Sequence, residues 1–562
     1  MLSVRRATGT LEGPSAAWLP NPKAESSMKL NTSFSGDVTP PPCPESPTGT
    51  SQDAFASQSF KHSLGRQQDS VAKGEESWAH PAKTAESNLP PPIVKAAAPP
   101  AGLRGSLMAA AAAAAKGAIE KAAAASAIAA AANTEAEAAL DASEDITEFY
   151  HVFVFTNPTS GGNKAAAFTK TAVSRLTLAD PYRVKIFIYD IRDGPSGNKP
   201  GFQLLKAIAN KVAAQGAPTI RVLVAGGDGT VMWCLSEMKS TGVNGEVCAI
   251  GVVPYGTGND FSNAFGWNSF NAANPFDSSL HTLRSILDHC MKASVVYHDL
   301  WSVRVCLRPG GHFTKINSTT RKKEVVESAG RPVEELFFTM SNYFSMGVES
   351  RIGRGFDRHR TKSQTLNKMR YGIEGLKKFV THTTSINQIV MGLTAMPGTP
   401  EEQLIFTTDK NQAKEKQVPL LKKTATLVAL NIPSFSGGND IWAPSKKLAA
   451  FFSDKPRQKQ AKELLKVPQQ MGDGKLEFMT FKNIPSMGME FMLRGRGSRL
   501  HSGKGPWEIC FKPLDDKLRV YFQTDGEFFQ LTQPASVTVA HDRRVRVLAL
   551  KLKGKQAVQA DP

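Results

Sequence analysis

The sequence predicts an α/β fold with a parallel-sheet lobe, a mostly antiparallel second lobe, and a disordered region before both. Three observations predict it. Short apolar strands alternate with helical stretches after residue 147, closely spaced strands follow Asp299, and residues 1–107 are rich in Ser, Pro, Thr and Gln. Continuous apolar strands separated by helices indicate a parallel sheet covered on both faces. Strands that follow one another without helices indicate antiparallel pairing. At 562 residues the chain is also too long for one core.

The N-terminal region, residues 1–147, is predicted to be disordered. Stretches such as "TPPPCPESPTGTSQDAFASQS" cannot bury enough apolar surface to offset the entropy of ordering. An alanine-rich segment at 107–142 favours a helix by propensity but has few large apolar side chains. It therefore predicts a solvated low-complexity spacer and not a membrane span.

The first lobe is predicted over residues 148–298, the second over 299–553, with a tail at 554–562. Strands of the first lobe are predicted at 149–158, 184–191, 220–227 and 247–256, and helical stretches include 163–176 and 200–215. Strand-like runs of the second lobe are "LWSVRVCL", "LFFTMSNYFSMGV", "TATLVALNI", "LEFMTF", "WEICFKP" and "LRVYFQT". One helix is predicted there, at 363–380.

Three strands of the first lobe end in polar, glycine-rich turns. They are "TNPTSGGN" (156–163, the first turn), "AGGDGT" (225–230, the second turn) and "PYGTGND" (254–260, the third turn). Ligands gather at the carboxyl ends of strands in open parallel sheets, so the turns are expected to converge. Glycine lets backbone N–H groups approach phosphate oxygens, and Asp228 can hold Mg2+ or accept a proton. The turns predict a nucleotide site without a GxxxxGK(S/T) motif.

Charge is distributed unevenly along the chain. Residues 1–150 hold 12 Lys/Arg and 16 Asp/Glu, a net of −4, whereas residues 151–562 hold 56 and 34, a net of +22. A basic ordered region suits phosphate ligands, anionic lipid or nucleic acid, but no nucleic-acid module is recognised, and none is predicted as a partner. Basic stretches at 351–362, 455–466 and 494–504 predict contact with an anionic membrane surface, the alternative being solvated loops.

The cysteines indicate a reducing compartment. All six are scattered, and none forms a CxxC pair that would indicate a zinc module. The N-terminus has no apolar stretch of a secretory signal, and no apolar run long enough to span a bilayer follows. The predicted localisation is cytoplasmic, with peripheral recruitment to membranes.

Several motifs resemble those of one family in the expected order. "VAGGDGT" and "VVPYGTGNDFSNAFGW" closely resemble the catalytic domain of eukaryotic-type diacylglycerol kinases, and "NPTSGGN" is similar to that family's NPxSGG. "SNYFSMGVESRIGRGFD", "NKMRYG", "LNIPSFSGGNDIWAP" and "TDGEFFQ" resemble landmarks of its accessory domain. The resemblance covers residues 150–550. It implies a phosphofructokinase-like lobe joined to a β-sandwich-like lobe, and Mg2+-dependent transfer of the γ-phosphate of ATP to 1,2-diacylglycerol, giving phosphatidate for lipid signalling.

Carried over position by position, the resemblance implies an ATP site, a metal ligand and four catalytic carboxylates. The ATP-binding residues would be Asn157, Ser160, Gly161, Gly162, Gly226, Gly227, Gly229, Thr230, Gly256, Thr257, Gly258, Asn259 and Asp260. The catalytic residues would be Asp228, which also holds the metal, Glu527, Asp525 and Asp299. Glu527 is the first candidate for the general base and Asp525 the second, although Asp-Gly between apolar runs is also a hairpin-turn signal.

The sequence departs from the family at a few positions and leaves alternatives open. Thr159 stands where lysine is frequent, and Phe528 where proline is usual. Neither zinc modules nor an EF-hand pattern is found. The alternatives are a sphingosine- or ceramide-type lipid kinase, an NAD kinase, and a non-catalytic lipid-binding scaffold. The GTGND turn favours a glycerolipid, and the retained carboxylates argue against the scaffold.

Overall fold

The computed structural model describes residues 146–560 with internal gaps, and all described elements lie in this range. The gaps are at 172, 268–273, 278, 318, 360–383, 452–457, 460, 516–517, 551 and 553–555. The predicted disorder and alanine-rich segment up to residue 145, the predicted helix at 363–380 and the "NKMRYG" landmark lie outside the described residues.

The first lobe contains the predicted parallel sheet. Its strands are β1 (Tyr150–Thr156), β2 (Arg175–Leu178), β3 (Val184–Asp190), β4 (Ile220–Gly226) and β5 (Cys248–Pro254). Besides a single helical turn at Ser160–Asn163, its α-helices are α1 (Pro200–Gln215), α2 (Asp228–Thr241), α3 (Asp260–Ala264) and α4 (His281–Lys292). Strands β3, β1, β4 and β5 lie side by side and parallel in that order, and β2 pairs antiparallel with β3 at the edge. Their apolar side chains form a core that buries both faces of the sheet.

The two main helices of this lobe begin and end where the sequence indicates. Helix α1 has Pro200 in its first turn, where a missing N–H costs nothing, and ends at Gly216 in a left-handed conformation. Helix α2 follows the extended Gly227 and ends at Gly242, also left-handed. The sequence therefore fixes both ends of α2 with glycine, and its N-terminus lies directly after β4.

The predicted helix at 163–176 is wrong for most of its length. A short 3-10 helix covers Lys164–Phe168, and Arg175–Leu178 is the edge strand β2. The alanine-rich start of the segment favours helix, but Leu176 and Leu178 alternate with exposed or partly exposed polar residues and pack against the first core. Pairing with β3 therefore overrides the local helix preference.

The second lobe consists mainly of antiparallel strands. They are β6 (Ser294–Leu307), β7 (Phe313–Ile316), β8 (Lys323–Val325), β9 (Glu327–Ser328), β10 (Arg331–Pro332), β11 (Glu335–Met340), β12 (Tyr343–Gly347), β13 (Val390–Ala395), β14 (Gln403–Thr407), β15 (Leu420–Leu421), β16 (Thr426–Leu430), β17 (Ala450–Phe451), β18 (Gln470–Met471), β19 (Leu476–Phe481), β20 (Ser498–Gly503), β21 (Trp507–Phe511), β22 (Val520–Thr524), β23 (Glu527–Leu531), β24 (Pro534–Ala549) and β25 (Gln556–Ala557). The helices are α5 (Val348–His359), α6 (Ile386–Ile389), α7 (Lys410–Glu415) and α8 (Ile484–Leu493).

Two large sheets form the second lobe and enclose a core. An eight-stranded antiparallel sheet has the order β20-β19-β16-β12-β22-β23-β7-β8. The facing strands, including β6, β13, β21 and β24, belong to the same 13-stranded sheet as the first lobe. Buried apolar side chains from both sheets form one cluster. This face-to-face packing is a β-sandwich arrangement.

Strand β24 connects the two lobes. It pairs antiparallel with β6 over nearly its whole length, from Pro534 opposite Leu307 to Ala549 opposite Ser294. Near its end it also pairs parallel with β5, through Arg546 and Val547. The end of β24 therefore returns the chain to the sheet of the first lobe. The predicted domain boundary at 298/299 falls inside β6. Among the described residues, none of the helices is long and apolar enough to cross a membrane.

Candidate active site

The three glycine-rich turns meet at the carboxyl edge of the parallel sheet. The side-chain amide of Asn157 in the first turn donates a 3.3 Å hydrogen bond to Oγ1 of Thr230 in the second. The backbone N–H of Asp260 in the third turn donates a 2.8 Å hydrogen bond to Oδ2 of Asp228 in the second. These contacts confirm that the turns converge on one crevice, as the order of strands and turns predicts.

Glycine is required where the turns touch. A Cβ at Gly227 would lie 2.9 Å from Cα of Gly256, so the second and third turns pack backbone against backbone. Gly161 has a φ of +63°, and a Cβ there would lie 3.0 Å from the carbonyl oxygen of Tyr255. L side chains rarely adopt such a backbone conformation. The glycines thus keep the floor of the crevice free of side chains.

Asp228 begins helix α2, at the centre of the crevice. Its Oδ2 accepts the hydrogen bond from Asp260 and a second, 3.2 Å long, from the side-chain amide of Asn342 in the second lobe. Its Oδ1 is buried and has no hydrogen-bond partner among the described residues. Burial and the neighbouring Asp260 carboxylate raise the pKa of Asp228. One carboxylate oxygen is therefore fixed, and the other is left for a ligand.

Asp525 brings the second lobe to this crevice. It lies in the hairpin turn between β22 and β23 with a φ of +47°, as the Asp-Gly pattern predicts. Its carboxylate accepts hydrogen bonds from the backbone N–H groups of Ser341 (2.6 Å), Asn342 (2.8 Å) and Tyr343 (3.1 Å). Burial raises the pKa of Asp525 to about 6, and these N–H groups oppose the rise. Asp525 thereby fixes the segment from which Asn342 reaches Asp228.

Glu527 follows in the same hairpin but has different surroundings. Its side chain is exposed, and its carboxylate makes no hydrogen bond to the residues that the structure describes. Enclosure by surrounding protein raises its pKa, while the nearby Lys315 lowers it. The ring of Phe528, where the family usually has proline, packs against Gly353 of α5.

Asp260 holds the two lobes together. Its Oδ1 accepts hydrogen bonds from the hydroxyl of Ser434 (2.6 Å) and the backbone N–H groups of Gly437 (2.9 Å) and Gly438 (3.0 Å). The hydroxyl of Tyr343 donates a 3.3 Å hydrogen bond to its Oδ2. Both oxygens of this predicted ATP-binding residue therefore contact a loop and a strand of the second lobe.

Asn259, the neighbour of Asp260, leaves an oxygen in the crevice. Its backbone is left-handed, with a φ of +53°, and it precedes helix α3. Its Oδ1 is buried and has no hydrogen-bond partner among the described residues. Together with Oδ1 of Asp228, it is one of two side-chain oxygens at the converging turns that the described protein does not satisfy.

Asp299 lies in the middle of β6, apart from the other predicted catalytic carboxylates. It is fully buried, and its Oδ1 accepts hydrogen bonds from Nε2 of His541 (2.8 Å) and Nε of Arg544 (3.2 Å). Its Oδ2 accepts one from the backbone N–H of Gly474 (2.7 Å). None of these described hydrogen bonds leads to the crevice, so the carboxylate itself connects β6, β24 and the loop before β19.

Asn431 links Asp299 to the crevice and was missed by sequence reasoning. Its Nδ2 donates to the backbone oxygens of Asp299 (2.7 Å) and Ser341 (2.5 Å), and its Oδ1 accepts from the indole N–H of Trp301 (2.8 Å). Asn342 was missed as well. Both lie in stretches whose resemblance was noted, "LNIPSFSGGNDIWAP" and "SNYFSMGVESRIGRGFD", but no pattern in either stretch assigns them a contact.

The fold and this site define a two-lobed α/β protein with a glycine-lined, carboxylate-bearing crevice. The diacylglycerol kinase catalytic domain model matches residues 151–291, and the diacylglycerol kinase accessory domain model matches residues 339–528. The chain therefore belongs to the diacylglycerol kinase family.

Curated relatives carry the same family name. "Probable diacylglycerol kinase 3" of Caenorhabditis elegans is 24% identical over 436 residues, which cover 76% of this chain and 47% of the relative. "Diacylglycerol kinase theta" of Mus musculus is 27% identical over 301 residues, 52% of this chain and 26% of the relative. "Diacylglycerol kinase 4" of Arabidopsis thaliana is 24% identical over 400 residues, 65% of this chain and 75% of the relative. The match thus spans about half or less of the two animal proteins.

Proposed function

We propose that this chain is an ATP-dependent kinase that transfers the γ-phosphate of ATP to the free hydroxyl of 1,2-diacylglycerol and releases phosphatidate. The observation that carries the proposal is the convergence of three glycine-rich turns on Asp228, opposite a hairpin that bears Asp525 and Glu527. Phosphoryl transfer requires positioned phosphates, neutralised charge and a carboxylate near the acceptor hydroxyl. The family of the chain and the names of its relatives support the lipid acceptor.

The turns supply the groups that would hold ATP. Gly161, Gly162 and the glycines of the second and third turns present backbone N–H groups without side chains in front of them. The N-terminus of α2, which starts at Asp228, adds a positive dipole end. The phosphates would therefore lie over the crevice floor, and the first turn would face the nucleoside.

The crevice also fits a magnesium ion. Mg2+ is usually held by one or two protein oxygens together with substrate phosphates and water. The unsatisfied Oδ1 of Asp228 matches this demand, and Oδ1 of Asn259 provides a second oxygen nearby. Among the described residues no group of three or more His, Cys, Asp or Glu side chains forms a complete metal site, which agrees with an ion brought by the nucleotide. When bound, it would neutralise charge on the transferred phosphate.

Glu527 is the proposed general base, and Asp525 is the proposed positioning residue. Both oxygens of Asp525 are held by backbone N–H groups, which stabilise its ionised form and leave it little freedom to take a proton. Glu527 is exposed, makes no hydrogen bond to the described residues, and has a raised pKa. Asp299 is proposed to act through position, by fixing β6 against β24.

Recruitment to an anionic membrane surface is part of the proposal. A diacylglycerol kinase must reach a substrate that stays in the bilayer, and the region after residue 150 carries a net charge of +22. The exposed Lys and Arg side chains of the basic stretches at 351–362, 455–466 and 494–504 are the proposed contacts, each contributing about 1 kcal/mol near an anionic surface. Arg354 and Arg499 of these stretches are buried and do not contribute. The compartment that fits is the cytoplasm.

Replacing Gly256 by alanine is expected to weaken ATP binding about tenfold without unfolding the protein. The new Cβ would lie 2.7 Å from Cα of Gly227 and also meet the side chain of Asn259. Relieving such an overlap costs about 1–3 kcal/mol, enough for a tenfold change in affinity. Calorimetric titration with ATP measures it. Gly245→Ala is the matched control, because nothing lies within 4 Å of its Cβ position; equal affinities in both variants would contradict the proposed contact of the turns with ATP.

The decisive test of the function follows labelled γ-phosphate from Mg-ATP into lipid. Diacylglycerol, sphingosine and ceramide are supplied separately in mixed micelles, and the products are separated. Labelled phosphatidate is the expected product. Label in sphingosine phosphate or ceramide phosphate would support a lipid kinase but contradict diacylglycerol as its substrate. ATP binding without transfer to any lipid would favour the non-catalytic scaffold.

A further inference from the structure

Helix α8, Ile484–Leu493, exposes apolar side chains on its outer face. Met492 is 83% exposed, Leu493 58% and Met489 39%. These are three of the five large apolar side chains that are exposed in the described part of the chain. The helix has one charged residue, Glu490, and that side chain is buried. A surface helix normally turns its apolar face inward, so the outer face of α8 requires a partner.

The helix is held firmly at both ends. Its N-terminus has a capping box, in which Asn483 Oδ1 accepts from the N–H of Ser486 (2.9 Å). At the other end the Glu490 carboxylate accepts hydrogen bonds from the backbone N–H groups of Gly495 (2.9 Å), Arg496 (2.5 Å) and Gly497 (3.0 Å). The exposed apolar side chains are therefore on a fixed scaffold and do not result from fraying of a loose end.

Positive charges flank this apolar face in the sequence. Between residues 482 and 504, Glu490 is the one acidic residue, and its carboxylate is occupied inside the protein. Lys482 precedes the helix and is exposed, Arg494 follows it and is exposed, and Arg496 is half-exposed. The backbone of the exposed Lys447 pairs with Arg499 in the neighbouring strand (2.7 Å). An apolar patch with a cationic rim is complementary to a bilayer that contains anionic phospholipid.

The inner face of α8 belongs to the same packing unit as the crevice. Met487 is buried in a cluster with Tyr343 and Phe435. Tyr343 contacts Asp260 through its hydroxyl, and Phe435 lies in the loop whose N–H groups hold the same carboxylate. A contact made by the outer face of α8 would thus be made next to the part of the second lobe that borders the third turn.

We propose that α8 inserts Met489, Met492 and Leu493 into the interfacial layer of an anionic membrane, while Lys482, Arg494 and Arg496 contact lipid phosphates. This inference rests on the proposed function only for the orientation of the protein on the membrane. Insertion of α8 would bring the crevice to an acceptor that stays in the bilayer. Charge disfavours a second copy of the chain as the partner. A symmetric dimer through α8 would place each cationic rim against its own copy. One ten-residue helix is also small for a stable protein interface.

The test measures binding of the full chain to vesicles without ATP. Co-sedimentation is compared between phosphatidylcholine vesicles and vesicles in which about a quarter of the lipid is phosphatidylserine. The double variant Met492→Glu/Leu493→Glu is expected to lose at least about tenfold in affinity for the anionic vesicles. Val325→Glu is the matched control, because Val325 is an exposed apolar residue (39%) on another strand. Its affinity is expected to stay at the wild-type value.

Other outcomes separate this inference from its rivals. Equal vesicle affinity in the double variant and the wild type would overturn it. A change in the oligomeric state of the lipid-free protein, with vesicle binding unchanged, would assign α8 to contact between copies and also overturn it. Arg494→Glu should weaken binding only to the anionic vesicles; an equal loss on both compositions would contradict the role of the cationic rim. Loss of vesicle binding in the double variant of a chain that phosphorylates no lipid would remove the proposed function and leave the inference intact.

Discussion

Replacing Asp228 by asparagine is expected to reduce kcat/KM for phosphate transfer at least about 1000-fold, a loss of about 4 kcal/mol of transition-state stabilisation. Oδ2 of Asp228 is held by the backbone of Asp260 and the amide of Asn342. Its buried Oδ1 has no hydrogen-bond partner among the described residues and is the proposed metal ligand. Asparagine keeps the shape of the side chain but lacks the negative charge that would hold Mg2+ against the phosphates. Steady-state assays with Mg-ATP and diacylglycerol measure the loss.

The same variant is expected to fold at least as stably as the wild type. Burial and the Asp260 carboxylate raise the pKa of Asp228, which means that the folded protein disfavours its ionised form. A neutral side chain of equal size removes that cost. Thermal unfolding without divalent cations measures it. A strongly lowered melting temperature would make Asp228 a structural residue and contradict its place in the phosphate site; wild-type turnover would exclude it as the metal ligand.

The strands of the parallel lobe could be predicted because they are buried on both faces. Four continuous apolar runs indicate β1, β3, β4 and β5, and the structure has all of them within a few residues of the predicted ends. Glycine and proline mark the ends of α1 in the sequence as clearly as in the structure. These signals are local, because a strand that is buried on both faces is apolar at nearly every position.

Features that depend on distant residues could not be predicted from the sequence. The run "LFFTMSNYFSMGV" looks like one strand, yet it is divided into β11 and β12 at Ser341 and Asn342. The break is stabilised by Asp525, more than 180 residues later. Strand β24 likewise returns to pair with β5. Neither the contact of Asp525 with this break nor the pairing of β24 with β5 has a local sequence pattern that predicts it.

In the candidate site, too, residues with a local motif could be predicted and residues whose contacts are distant in sequence could not. The three turns and their central carboxylate carry a motif, and the structure brings the turns together as predicted. The side chains that join the lobes carry no motif and were not predicted to do so. Asn342 lies at the break between β11 and β12, and Asn431 directly follows β16. Only the folded chain brings them between Asp228 and Asp299. Asp260 carries a motif, but its carboxylate contacts a loop that sequence order places more than 170 residues away.

Replacing Glu527 by glutamine is expected to lower turnover by about 100- to 10,000-fold while ATP affinity and stability stay unchanged. The side chain is exposed and makes no hydrogen bond to the described residues, so glutamine leaves none of them unpaired. Glu324→Gln is the matched control. Glu324 forms a 3.7 Å ion pair with Lys315, the cation that lowers the pKa of Glu527. Glu324 lies on β8, which is separated from β23 by β7. Turnover of this control is expected within a few-fold of the wild type.

Asp525→Asn separates a positioning role from a role as base. Both carboxylate oxygens of Asp525 accept hydrogen bonds from the backbone N–H groups of residues 341–343. In asparagine, an NH2 group replaces one of these oxygens, and the remaining amide oxygen is a weaker acceptor. The expected loss is about 3 kcal/mol of unfolding free energy, together with lower turnover because Asn342 is displaced from Asp228. Urea unfolding and steady-state kinetics measure the two effects. A stable Asp525→Asn protein without activity would instead assign the base to Asp525.

The pH profile decides between the two carboxylates. A base acts when it is deprotonated, so the rate falls as pH drops through its pKa. Burial raises the pKa of Asp525 to about 6, and enclosure by the surrounding protein raises the pKa of the exposed Glu527. If Glu527 is the base, the acid limb of the wild-type profile should disappear in Glu527→Gln and persist in the residual activity of Asp525→Asn. An acid limb near pH 6 that survives in Glu527→Gln but not in Asp525→Asn would reverse the assignment. Because Asp525→Asn also loosens the segment 341–343, the assignment depends on which variant loses the acid limb and not on the size of the rate loss.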